Sequence, residues 1–334
     1  MRPLVSVLLP YRNAESTLRE ALDSLLAGDP QGIEVLAIND HSTDRGPNDI
    51  EQRAAQDPRI KALHAPERGI ANALQFGLSQ ALGAYIARMD ADDISLPGRL
   101  EEERALLLQN PKLGVVGTQV ELFGPAEIGE GMRRYIQWQN AIITPEEHAR
   151  AIFVESPLCH PSVMMPKSVL QEIGGFRQGL FPEDYDCWLR MHVQGFEMAK
   201  VPRLLFRWRQ HSSNATFGDP RYALERFVET RALYLAPRLL SAGRPIAVWG
   251  AGQTGKRLAR ALERHGARAA LFIDIDPKKI GRMARGAPIC DASVLRPGTH
   301  SLVVAVGARG ARDLVRAFLV ERGFGEGRDF VCAS

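Results

Sequence analysis

The stretch Gly83-Ala84-Tyr85-Ile86-Ala87-Arg88-Met89-Asp90-Ala91-Asp92-Asp93 decides how the first half of the chain is read. Ala84 to Met89 is a compact, mostly apolar run, the pattern of a strand covered on both faces. It breaks off into three carboxylates, Asp90, Asp92 and Asp93. Like charges this close repel and raise each other's proton affinity unless a cation neutralises them. Oxygen ligands suit a hard divalent ion, and Mg2+ commonly takes one or two carboxylates together with substrate phosphates. A solvated acidic turn that caps the next helix explains the same residues without chemistry. Taken alone, the bend favours that plainer reading, and its neighbours have to decide.

Working outward, Val5 to Leu9 reads as a first buried strand. Asn13 is placed to cap a helix with Leu18, Leu22, Leu25 and Leu26 on one face. Ile33 to Ile38 reads as a second strand, running into Asn39-Asp40-His41-Ser42-Thr43-Asp44, and Arg59 to His64 as a third. Ile70 to Ala81 reads as a helix stopped by Gly83. This alternation predicts an α/β fold with a doubly wound sheet, in which ligands lie beyond the carboxyl ends of the strands. Further on, the pattern predicts a charged helix over 97–109, a strand over 114–123, a loop over 124–144 carrying Tyr135 and Trp138, and helices over 183–193 and 219–240.

A second α/β unit starts near Pro245. A strand over 245–249 leads into Gly250-Ala251-Gly252-Gln253-Thr254-Gly255, which opens a helix, and Asp274 lies 19 residues beyond Gly255 at the end of the next strand. A glycine run in that context, followed by an acid at that distance, resembles a Rossmann nucleotide-binding domain. Gly250, Gly252, Gly255 and Asp274 are its candidate nucleotide-binding residues, and NAD(P) is the cofactor the pattern brings into question. Three readings stay open for this small unit: a bound nucleotide, a scaffold for oligomer or partner contact, and an active sugar-modifying unit. The expected organisation is 1–218, a helical linker over 219–243, and 244–334.

A chain of 334 residues suits about two domains. Lys and Arg number 42 against 39 Asp and Glu, a near balance that argues against a nucleic-acid binder and against an acidic disordered chain. Cys159, Cys187, Cys290 and Cys332 form no C-x-x-C pair, so neither a zinc knuckle nor a disulfide scaffold is expected. Reduced thiols point to the cytoplasm. No apolar run is long enough to span a bilayer, and the apolar core after Met1 is too short for a secretory signal. A peripheral place at the inner face of a membrane and a homo-oligomer are both compatible with the sequence.

Around the acidic bend stand Pro10-Tyr11-Arg12-Asn13, Asn39-Asp40-x-Ser42-Thr43-Asp44 and Arg68-Gly69-Ile70-Ala71-Asn72-Ala73. In this order and spacing the chain resembles the family-2 glycosyltransferases, which have the GT-A fold. The likeness covers about residues 3–215. It continues in His160-Pro161-Ser162-Val163, Gly174-Gly175-Phe176-Arg177 and Glu183-Asp184-Tyr185-Asp186-x-Trp188-Leu189-Arg190.

The resemblance implies a GT-A doubly wound mixed sheet followed by the small Rossmann-like domain. It implies an inverting transfer from a nucleotide-diphosphate sugar to a hydroxyl of a glycan or lipid-linked acceptor, in cell-surface polysaccharide synthesis. Pro10, Tyr11 and Asn13 then line the nucleotide pocket, with Tyr11 either stacked on the base or a half-exposed loop tyrosine. Asp40 accepts from a base imide, which favours UDP- or dTDP-type donors; Asn39 and His41 depart from the usual Asp and Gly and leave the base open. Arg68 is either near the phosphates or a surface arginine. Asp92 ligates Mn2+ or Mg2+, Asp90 faces ribose or a metal-bound water, and Asp93 is either a ligand or a helix cap. His211 either completes the metal site or is a plain surface residue, and Arg207 and Arg209 are candidates for phosphate or an anionic acceptor. Asp184 is the general base, set against the plainer role of a carboxylate at a helix N-terminus; His160 shapes the acceptor pocket or is structural. Two other functions stay open: an NAD(P)-linked nucleotide-sugar oxidoreductase, and a non-catalytic nucleotide-sugar sensor.

Overall fold

The computed structural model describes residues 3–28, 32–125, 127–211 and 218–334. The chain divides into two compact units, one formed by residues up to 149 with 157–219, the other by 150–156 with 220–334.

In the first unit the elements are β1 (Val5–Tyr11), α1 (Leu18–Gly28), β2 (Ile33–Asn39), α2 (Gly46–Gln56), β3 (Ile60–His64), α3 (Ile70–Gln80), β4 (Tyr85–Arg88), β5 (Ile94–Ser95), α4 (Arg99–Gln109), β6 (Leu113–Phe123), α5 (Glu130–Asn140), α6 (Pro145–Ala151), β7 (Val163–Pro166), α7 (Lys167–Glu172), α8 (Glu183–Val193) and β8 (Glu197–Arg209). The eight strands form one mixed sheet in the order β3-β2-β1-β4-β7-β6-β8-β5. Strands β3, β2, β1 and β4 run parallel, and β7 is antiparallel to both β4 and β6. Every residue of β1 and β2 is buried, as helix-covered parallel strands require. The chain leaves β1 for β2 on one side and returns for β4 on the other, so a crevice opens beyond their carboxyl ends.

Several local expectations are corrected. Asn13 does not cap α1, which starts at Leu18; it takes a left-handed conformation (φ 50°) and bonds to the loop after β2 instead. Gly83 does not stop α3, which ends in an extended Ala81. A Cβ on Gly83 would lie 2.7 Å from the backbone nitrogen of Ser6, so glycine there lets β4 approach β1. The expected loop over 124–144 holds α5, whose Ile136 and Gln139 face inward while Tyr135 and Trp138 stack half-buried. Strand β8 was hidden because Pro202 and four cationic residues interrupt its apolar pattern.

The second unit has its own sheet. Its elements are α9 (Leu224–Ser241), β9 (Ile246–Trp249), α10 (Gln253–Arg264), β10 (Ala269–Ile273), β11 (Met283–Ala284), β12 (Ala287–Cys290), β13 (Ser301–Val304), α11 (Ala311–Glu321) and β14 (Phe330–Cys332). The order is β11-β12-β10-β9-β13-β14, parallel except for the β11–β12 pair. Helix α9 belongs to this compact unit together with residues 150–156. Its buried Arg231 donates to the carbonyls of Val154 and Ala333 and so ties that short segment in. Among the described residues, no helix is long and apolar enough to cross a membrane.

One buried cation gives the first unit a readable pH signature. Lys200 on β8 is buried, and its ammonium donates to the carbonyl of Gln139 on α5. Burial pulls its pKa from 10.5 down to about 7. Between those values the unfolded chain holds a proton that the folded chain lacks, so stability rises with pH through that window. Lys200→Met removes this dependence. The variant is expected to melt higher than the wild type at pH 6, by about 2–4 °C or more, with the gap closing toward alkaline pH; thermal melts across the range check it.

Candidate active site

The carboxyl ends of β1, β2 and β4 carry the residues singled out in the sequence. The loops after β1 and β2 are knitted together. The backbone N–H of Asn13 donates to Ser42 Oγ at 3.1 Å, and Asn13 Oδ1 accepts from the backbone N–H of Thr43 at 2.8 Å. Asn39 Oδ1 accepts from the Ser42 N–H at 2.8 Å, and Asp44 accepts from the Glu15 N–H at 2.9 Å. His41, at the glycine position of the usual turn, holds a left-handed φ of 57° and is exposed. Asp40, 7% exposed, accepts from the backbone N–H of Gly69 at 2.8 Å and thereby docks the start of α3 onto this loop. Arg68 stands exposed beside it.

Tyr11 is corrected. It is 4% exposed and lies in the core with Leu18 and Ile50, so its ring is not available to stack on a base. Burial, then the charges of Glu51 and Asp44, push its phenol upward. Pro10 is also buried within β1. β1 ends at Tyr11, and the next residues, Arg12 and Asn13, are exposed beyond its carboxyl end.

The acidic bend follows β4. Asp90, Asp92 and Asp93 bring one carboxylate oxygen each within 4.8 Å of one another. The buried guanidinium of Arg88 pairs with Asp90 at 2.7 Å. His211 Nε2 lies 2.7 Å from Asp92 Oδ2, bringing the end of β8 to the bend. Asp93 is not a cap for α4, which begins at Arg99 after a left-handed Gly98. It is fully buried, and its Oδ1 accepts from the Arg209 N–H at 2.7 Å. Burial, then Asp90, raises the pKa of Asp92, with His211 opposing; burial, then Asp92 and Asp90, holds Asp93 well above the usual carboxylate range. Asp93 Oδ2 is buried without a hydrogen-bond partner among the described residues. An orphaned carboxylate oxygen beside two more carboxylates and an imidazole is a donor set that fits a divalent cation.

The two cationic candidates on β8 are committed elsewhere. Arg209 donates to the carbonyl of Asp92 at 2.5 Å and to Glu20 at 2.5 Å. Arg207 pairs with Glu121 at 2.9 Å, and both guanidinia lie 4.4 Å from the centre of the Phe123 ring. Arg209 thus braces the bend, while Arg207 is held against Glu121 and the Phe123 ring.

Opposite, α8 opens with Glu183 and Asp184. Asp184 is half-buried, and burial followed by the charge of Glu183 pushes it up to about 6. The segment before β7 carries His160, whose Nδ1 lies 3.8 Å from Glu183. The buried Cys159 thiol feels Asp93, Asp90 and Asp184 alike, so the bend and the start of α8 flank one segment. Sequence reading missed Arg99. Its buried guanidinium donates to the carbonyl of Pro161 at 2.9 Å and of Arg88 at 3.2 Å, tying the His160 turn to the strand that bears the acids. Its only signal was an arginine on the inner side of a charged helix.

In the second unit packing explains two of the three motif glycines. A Cβ on Gly250 would lie 2.2 Å from the carbonyl of Ala305, and one on Gly255 1.8 Å from that of Gly250, whereas Gly252 faces open space. Asp274 is already engaged: it accepts from the N–H groups of Ala251 and Asp276 and pairs with Lys279, each at 3.0 Å. These bonds tie the carboxylate expected to meet a ribose to its own turn.

A mixed eight-stranded sheet with an acidic bend at its switch point defines the catalytic domain of a GT-A glycosyltransferase. Residues 6–174 match the family described as Glycosyl transferase family 2. The putative glycosyltransferase EpsE of Bacillus subtilis (strain 168) is 33% identical over 216 residues, 63% of this chain and 74% of that protein. The O-antigen biosynthesis glycosyltransferase WbnJ of Escherichia coli is 25% identical over 239 residues, covering 69% of this chain and 91% of its own. Among solved structures, S. aureus TarS 1-349 in complex with UDP-GlcNAc aligns with a TM-score of 0.56 at 19% identity, covering 80% of this chain and 74% of that one. The mannosyltransferase PcManGT from Pyrobaculum calidifontis, in complex with GDP-Man and Mn2+, aligns at 0.51 and 18%, with the same coverage of 80% and 74%. The chain belongs to glycosyl transferase family 2 and is a glycosyltransferase.

Arg99 gives the site a structural test. Arg99→Met leaves two buried carbonyls and the buried carboxylate of Glu103 without their cation. Breaking one side of a buried ion pair costs about 3–5 kcal/mol, and urea unfolding is expected to show a loss of that order.

Proposed function

We propose that the first unit transfers a sugar, with inversion, from a nucleotide-diphosphate donor to a hydroxyl of a glycan or lipid-linked acceptor. The observation that carries the reading is the pairing of Asp184, a half-buried carboxylate pushed up to about 6, with an acidic bend whose Asp92 is already in contact with His211. A base needs a proton affinity near the working pH, and Asp184 has it.

In this reading Asp92 and His211 hold a divalent cation, Mn2+ or Mg2+, with Asp93 contributing its orphaned oxygen and Asp90, neutralised by Arg88, turned toward the donor ribose. Bound there, the cation supplies positive charge to a leaving diphosphate. Asp40, Asn13 and Arg68 line the donor side, and Arg12 takes the exposed place that Tyr11 does not. Asp184 takes the proton of the attacking hydroxyl and leaves the alkoxide to displace the nucleoside diphosphate from the anomeric carbon. No second carboxylate nucleophile is required, unlike in a retaining glycosidase. The donors held by the two aligned structures, UDP-GlcNAc and GDP-Man, support the donor class and leave the base open. The O-antigen role of WbnJ supports a cell-surface glycan as the acceptor class. For the second unit we favour a scaffold over an NAD(P) site, because Asp274 is engaged by its own chain.

A plate of nucleotide sugars with and without Mn2+, read by thermal shift, tests the donor side. One nucleotide sugar is expected to raise the melting temperature of the wild type only with the metal, since a ligand that binds the folded state stabilises it. Asp92→Ala is expected to lose that metal dependence. Asp184→Asn is expected to keep the thermal shift while nucleotide release falls by about 10^2 to 10^4. In the wild type, release is expected to fall as pH drops below about 6, because a protonated Asp184 accepts nothing. Full turnover in both variants ends the reading.

A further inference from the structure

Asp184 does not stand alone at the start of α8. The residue before it, Glu183, is 2% exposed, and His160 from the neighbouring segment is 8% exposed. The imidazole Nδ1 lies 3.8 Å from Glu183 Oε1, too long for a hydrogen bond but within ion-pair reach. The ring is held edge-on by Trp188 at 5.8 Å and 86°, and tilted against Phe176 at 5.8 Å. Its Nε2 is buried and has no hydrogen-bond partner among the described residues. The turn that carries it is fixed twice: Ser162 Oγ donates to the Cys159 carbonyl at 2.8 Å, and Arg99 donates to the Pro161 carbonyl at 2.9 Å. A buried carboxylate facing an imidazole that has been clamped from three sides is more than a capped helix end needs.

We propose that His160 and Glu183 are positioning residues for the transfer, a buried imidazole–carboxylate pair that sets the charge beside Asp184. The inference rests on Asp184 as the base. Glu183 is the neighbouring negative charge and holds the proton on Asp184; the imidazole, when it carries a proton, acts in the opposite sense. Cys159 beside the turn and Cys187 on the same helix also feel Asp184, together with Asp90, Asp93, Lys200 and Arg177 around them, and burial keeps both thiols protonated. Asp186 is paired with Arg190 at 2.8 Å, whereas Glu183 faces the His160 imidazole. The pair gives the acid limb of the activity profile two handles of opposite sign.

The test is a carbon-13 titration of the aspartate side-chain carboxyls in the full chain, without donor or metal. The resonance missing from Asp184→Asn identifies Asp184, and its wild-type midpoint is expected at about 6. Glu183→Gln is expected to lower that midpoint by about half a pH unit or more, and His160→Gln to raise it. His160→Phe, which keeps an aromatic edge against Trp188, serves if the glutamine variant does not fold, and it is expected to shift the midpoint the same way. Equal midpoints in wild type and variants, or shifts of one sign in both, overturn the inference. The base reading fails by a different result: unchanged nucleotide release in Asp184→Asn.

Discussion

Three carboxylates at the end of a buried strand are the constraint around which the first unit is built. Asp90, Asp92 and Asp93 repel one another, and burial makes their charge harder to bear. The protein answers with cations and donors brought from far along the chain. Arg88 comes from β4 itself, the Arg209 backbone from the last strand, and His211 from just beyond it. Even so, one buried oxygen of Asp93 is left without a hydrogen-bond partner among the described residues. In the proposed reading that bare acceptor is where a cation would act.

The arginines divide into two kinds. Arg99, Arg88 and Arg209 are structural: they carry charge into the interior, and each ends on carbonyls or carboxylates of the site walls. Arg12 and Arg68 are exposed on the donor side. Arg99 matters most to geometry, because it bonds both the strand that delivers the acids and the turn that delivers His160. The strand that ends in the acidic bend and the turn that carries His160 are thereby held to a common guanidinium. Fixing reacting groups in advance lowers the reorganisation that a transfer would otherwise require.

The two units use related sheet orders for different ends. In the first, the bend beyond β4 gathers three carboxylates and leaves Asp93 Oδ2 without a hydrogen-bond partner among the described residues. In the second, the glycine turn after β9 is closed over by Ala305, and the acid after β10 is bonded to the turn itself. A glycine run after a strand is thus a statement about backbone packing before it is one about nucleotides.

The sequence by itself determined the four strands up to the acidic bend with the helices at Leu18 and Ile70, though not α2, and the likeness from which the proposed role of Asp184 comes. These are local patterns: unbroken apolar strands, glycines at close approaches, acids at a strand end. It failed at α5, whose polar composition masks a narrow inward face, and at β8, where cationic residues break the apolar alternation. It misjudged Tyr11, because a residue in a motif can face either way and only the strand's register turns this one into the core. Tertiary structure alone decided that Arg209 braces the bend, that Asp93 is a buried anchor, and that Glu183 faces His160. Those pairings join residues up to more than a hundred positions apart, and no local pattern in the chain encodes which charge a buried carboxylate will meet.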